Sequence, residues 1–103
     1  MPDLYLVIRT DAPDSVDARK AAVAAHMTYS EDNEHRFMIG GGLRASCAED
    51  PALGSAMIVK GTSVEEVRAF CDEDPFAKAG VFARTDIYFF RPGIGEWIGG
   101  KIW

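Results

Sequence analysis

Leu4-Tyr5-Leu6-Val7-Ile8 is an unbroken apolar run of strand length close to the start of the chain. A strand that is apolar on both faces has to be covered on both, so it belongs in the middle of a sheet. Asp11, Pro13 and Asp14 break the run and supply candidate caps for a following helix. With 103 residues in all, the chain makes one domain, and a domain of this size buries only about two-thirds of its unfolded surface. Its core is therefore shallow.

The remaining elements follow from the punctuation. From Ser15 to about Asn33 the pattern is helical, with Val16, Val23 and Met27 on one stripe and Asp17, Lys20 and Glu31 on other faces. The acidic cluster Glu31 to Glu34 suits a helix C-terminus poorly and marks its end. Phe37-Met38-Ile39 opens a second strand that runs through Gly40-Gly41-Gly42 to Leu43-Arg44. Glycines weaken a strand, so their presence points to close approach of a ligand or backbone, or to a bulge or tight curvature. Ala45 to Leu53 reads as a loop and Ser55 to Val59 as a third strand. Thr62 or Ser63 caps a second helix carrying Val64, Val67 and Phe70 on one stripe. That helix stops at Asp74-Pro75, because proline disfavours helical geometry in the residue before it. A short helical turn, Phe76 to Gly80, leads to a fourth strand over Ala83 to Phe90.

The order is β-α-β-β-α-β, which predicts an α+β, ferredoxin-like domain: a four-stranded antiparallel sheet with two helices on one face. The other face is left bare and apolar, which calls for a second copy of the chain, a homodimer. Residues 1–92 form the domain. Residues 93–103 form a tail in which glycines separate Ile94, Trp97, Ile98, Ile102 and Trp103, suited to reaching across a partner.

Composition narrows the function classes. Sixteen acidic against eleven basic residues give a net charge of −5, without the basic footprint that phosphate contact requires, so no nucleic acid is expected. No apolar run approaches the roughly 20 residues that span a bilayer, and the N-terminus lacks the basic flank of a signal peptide; a cytoplasmic protein is the expectation. Cys47 and Cys71 stand in unlike contexts with no clustered histidine, so neither a disulfide nor a metal site is expected, and no cofactor. There is no dinucleotide fingerprint, P-loop or nucleophile elbow.

The chemistry-bearing candidate is His26, in the first helix and in register with Arg19, Tyr29 and Ser30. It is either a satisfied structural histidine or an acid–base group, and a carboxylate within reach would favour the second by fixing its tautomer. Asp74 is the candidate carboxylate. It either organises the turn at Pro75 or approaches the neighbouring helix and pairs with His26.

Read in order, several parts resemble the YciI-like (YCII-related) family over residues 4 to about 92. These are the strand Leu4–Ile8, Arg19 with His26, the glycine-rich strand Ile39–Gly42, the strand Ala56–Val59, and Asp74-Pro75-Phe76-Ala77-Lys78-Ala79-Gly80-Val81. The resemblance implies a ferredoxin-like fold that dimerises as a dimeric α+β barrel. It also implies kinship to small enzymes such as muconolactone isomerases and a dehydrochlorinase of a chlorinated hydroxyhydroquinone. The family's helix histidine and Asp-Pro aspartate carry over onto His26 and Asp74. Met27 stands where many relatives have leucine, Val23 where some have arginine, and the tail has no counterpart. The expected function is a cofactor-free lyase or isomerase acting on a small cyclic or aromatic acid or lactone. His26 would be the acid–base group and Asp74 its partner. Arg19, Tyr29 and backbone amides near Gly41 and Gly42 would contact substrate. The alternative is a non-catalytic dimeric module that binds a small molecule or a protein.

Overall fold

The computed structural model describes residues 2–103. Its main elements are β1 (Asp3–Asp11), α1 (Val16–Asp32), β2 (Phe37–Leu43), β3 (Gly54–Gly61), α2 (Val64–Asp72), α3 (Pro75–Lys78) and β4 (Phe82–Phe90). The sheet order is β2-β3-β1-β4 with every neighbouring pair antiparallel, a ferredoxin-like fold. The first apolar run lies in an interior strand, flanked by β3 and β4.

Alternation along β1 sends Tyr5, Val7 and Arg9 toward the helices, and all three are buried. Tyr5 and Val7 join Met57 and Val59 of β3 and Val67, Phe70 and Cys71 of α2 in one core. Burial pushes the Cys71 thiol up to about 11, which suits a packing residue rather than a nucleophile. Ser63 is the cap of α2, its hydroxyl accepting from the Glu66 amide at 3.0 Å.

The first helix departs from expectation. Val16, Val23 and Met27 do not face the core; they are 61%, 44% and 54% exposed, and α1 has no buried residue at all. Its inward side carries Tyr29, which packs on the core, and Arg19, His26 and Ser30, which border a cleft. A helix standing over a cavity has no apolar interior to fill, so its apolar stripe stops reporting its buried face.

Close packing of β1 on β3 depends on Gly54. A Cβ there would lie 1.9 Å from the Arg9 carbonyl oxygen, against backbone held in the β1–β3 ladder. Gly54→Ala is expected to lose at least about 2 kcal/mol of stability in urea unfolding, since neither strand can retreat without breaking the ladder.

The tail forms a small hairpin, β5 (Ile94–Gly95) with β6 (Gly100–Lys101). It stands by the bare face of its own sheet, and an apolar space of about 290 Å³ lies between Leu4, Ile58 and Phe90 and the tail's Ile94 and Trp97. Trp97 and Trp103 are 78% and 73% exposed. Among the described residues no helix is long and apolar enough to cross a membrane.

Candidate active site

Asp74 is fixed by the local sequence. Preceding a proline, it takes the extended conformation (φ −62°, ψ 129°) and becomes the cap of α3, with Pro75 pre-set in the first turn. Its Oδ1 accepts a hydrogen bond from the Phe76 amide at 2.9 Å. The carboxylate is thereby held at one point, only 5% exposed.

Two cationic or ionisable side chains converge on it. His26, from the middle of α1, places Nδ1 at 2.8 Å from Oδ1 and 3.0 Å from Oδ2. Its ring stacks on Phe76, centroids 3.8 Å apart and planes at 11°. Arg9 of β1 donates from Nη1 to Oδ2 at 2.7 Å. Its Nε donates to Ser55 Oγ at 3.0 Å, because Ser55 is the residue opposite it in β3. The guanidinium also lies 4.3 Å from the centre of the Phe82 ring. Asp74 thus performs both jobs read from the sequence, organising the turn and meeting His26.

Burial alone would raise the Asp74 carboxyl. The hydrogen bonds from His26, the Phe76 amide and Arg9, with the Arg9 charge, outweigh it and hold the group below its ordinary value of 3.8. An ionised carboxylate can only accept, so Nδ1 of a neutral His26 carries the proton that bridges them. That leaves Nε2 with its lone pair and no partner among the described residues, on a side chain that borders the cleft.

The cleft, about 480 Å³, lies between α1 and the β2–β3 side of the sheet, with Arg19, His26, Ser30, Phe37, Gly42 and Phe76 among its walls. Arg19 forks onto Asp11 (Nη2 to Oδ1 2.7 Å, Nε to Oδ2 3.1 Å), which leaves its Nη1 for another oxygen. Gly41 and Gly42 both border the cleft. Tyr29 does not come to it: its hydroxyl donates to the Phe70 carbonyl at 2.7 Å, and burial pushes the phenol up to about 12. It is a packing residue of the α1–α2 contact. No group of three or more His, Cys, Asp or Glu among the described residues is placed to hold a metal ion.

Sequence reasoning missed Arg9 and Ser55. A signal was present in the first: Arg9 shares a strand face with Tyr5 and Val7, and a charge on an inward face requires a partner. Which carboxylate would answer it depends on how α3 folds back, and strand periodicity carries no such information.

The family model described as the YCII-related domain matches residues 4–91. Protein YciI of Escherichia coli O6:H1 and its namesake from Shigella flexneri are each 29% identical to this chain over 94 residues, covering 85% of it and 96% of theirs. Among solved structures, the 5-chloro-2-hydroxyhydroquinone dehydrochlorinase TftG of Burkholderia phenoliruptrix AC1100, in complex with 2,5-dihydroxybenzoquinone, is similar. Identity is 33% and the TM-score 0.76, covering 91% of this chain and 97% of that one.

Proposed function

The chain belongs to the YCII-related family, and on that premise we propose that it is a small lyase or isomerase working by proton transfer. Its substrate would be a small cyclic or aromatic acid, lactone or hydroxyquinone. The observation that carries this reading is the 2.8 Å contact between Nδ1 of His26 and an ionised Asp74, with Nε2 left free on a cleft-lining ring.

Nε2 takes a proton from a carbon activated by a neighbouring carbonyl, and the bonding pair moves into that carbonyl as an enolate. Asp74 stabilises the imidazolium so formed. In an isomerisation the proton returns to a different carbon; in an elimination the enolate pair re-forms the carbonyl and expels an anionic leaving group from the adjacent carbon. Such general acid–base help is typically worth about 10²–10⁴-fold. Arg19 Nη1 is suited to a substrate oxygen. Similarity to TftG, a dehydrochlorinase by name, supports an elimination at a ring carbon over other reactions of this type. The bare sheet face and the exposed tryptophans of the tail support a homodimer, which sedimentation at micromolar concentration tests.

The function is tested with a panel of small lactones and chlorinated hydroxyquinones, followed by absorbance and chloride release. Turnover by the unaltered protein that is lost in both His26→Ala and Asp74→Asn is expected. Binding without turnover, unchanged in the two variants, would instead make the protein a non-catalytic binding module.

A further inference from the structure

Three glycines stand in a row on β2 and all border the cleft, and the register decides which of them turn their missing side chains toward it. Phe37 lies opposite Val59, but Ile39 lies opposite Ile58, so a bulge adds one residue to β2 between them. Beyond it, Gly40 faces Met57 and Gly42 faces Ser55, and opposite residues of an antiparallel pair share a face. Met57 is in the core under the helices, and Ser55 binds the inward Arg9. Gly40 and Gly42 therefore present their missing side chains to the cleft, and Gly41 presents its own to the bare face. Without the bulge the parity would be reversed.

Backbone conformation does not demand glycine here, since none of the three has a positive φ. Packing asks for it at Gly40, where a Cβ would sit 3.3 Å from the Phe37 ring and 3.4 Å from the Met57 Cβ. It does not at Gly42, where the nearest atom would be the Gly54 carbonyl oxygen at 4.0 Å. What glycine provides at 42 is open space above a flat stretch of strand.

We propose that this bare strip is the substrate's platform: a planar six-membered ring bearing oxygens lies against the Gly40 and Gly42 backbone with one edge toward Nε2 of His26, and Gly42 sets the limit on its size. The assignment rests on the acid–base reading of His26. An extended backbone without Cβ atoms offers a flat surface, and contact energy falls steeply when a puckered ring opens sub-ångström gaps against it.

The test is equilibrium binding of a dihydroxybenzoquinone and of cyclohexanedione, a puckered ring of the same size. The unaltered protein is expected to prefer the quinone by at least about tenfold, and Gly42→Val to lose about tenfold or more of the quinone affinity. Gly42→Ala falls between, and carries the test if the valine variant does not fold. No quinone binding, equal binding of quinone and dione, or full quinone affinity in Gly42→Val overturns the platform whatever the turnover. Planar-selective binding that Gly42→Val abolishes, in a protein with no turnover, supports the platform and overturns the acid–base reading.

Discussion

Replacing His26 by alanine is expected to lower turnover of the proposed substrate class by about 10²–10⁴-fold, in kcat rather than KM. The loss follows from removing the ring nitrogen that receives the proton, because Arg19, Phe76 and the glycine wall all remain to hold the ring. A structural role would give a different pattern. His26→Gln can still donate to Asp74 from a side-chain amide, so it preserves the contact that steadies α1 against α3 while supplying no base. If His26→Gln retains thermal stability and loses turnover as His26→Ala does, the ring acts chemically. Turnover restored by glutamine would mean that His26 only holds two helices together.

Asp74→Ala is expected to be the most destabilising single change in the site, by about 3–5 kcal/mol, because it strands Arg9 as an uncompensated buried charge. Arg9 and Asp74 side chains are each only 5% exposed, so solvent cannot replace the lost partner. The same change removes the α3 cap and the anchor of His26. Asp74→Asn keeps the shape and the cap and loses the charge, so its cost is smaller. The pH dependence separates charge from shape. Asp74 has a folded-state value below its ordinary 3.8, so its ionised form stabilises the fold above that value. That contribution disappears as pH falls through the lowered folded value. Urea unfolding at about pH 7 and about pH 3 should therefore show the gap between the unaltered protein and Asp74→Asn narrowing in acid. A gap that persists undiminished would place the cost in packing instead.

Much of the fold was legible because its elements are bounded by residues with fixed local behaviour. Pro75 ends one helix and starts the next, the apolar run Leu4–Ile8 reads as an interior strand, and Ser55–Val59 reads as a third strand. The meeting of His26 with Asp74 was readable as a pair of candidates, since both sit where two adjacent helices approach. Three things were not. The α1 stripe of Val16, Val23 and Met27 misled, because amphipathicity locates a core and this helix faces a cavity. Arg9 showed its need for a partner without showing which, since a contact 65 residues apart depends on the whole topology. The glycines at 40–42 gave a flat strand without saying which of them turn their missing side chains to the cleft. One bulge residue after Phe37 decides that, and no residue in Met38-Ile39 marks it.

The pairing of His26 with an ionised Asp74 is tested most directly by a long-range proton–nitrogen NMR correlation of the His26 ring, recorded where the imidazole is neutral. The geometry predicts the proton on Nδ1 and a bare Nε2 facing the cleft. A neutral ring protonated at Nε2 would contradict it, since Nδ1 would then have no proton to give the carboxylate and Nε2 no lone pair to receive one from a substrate.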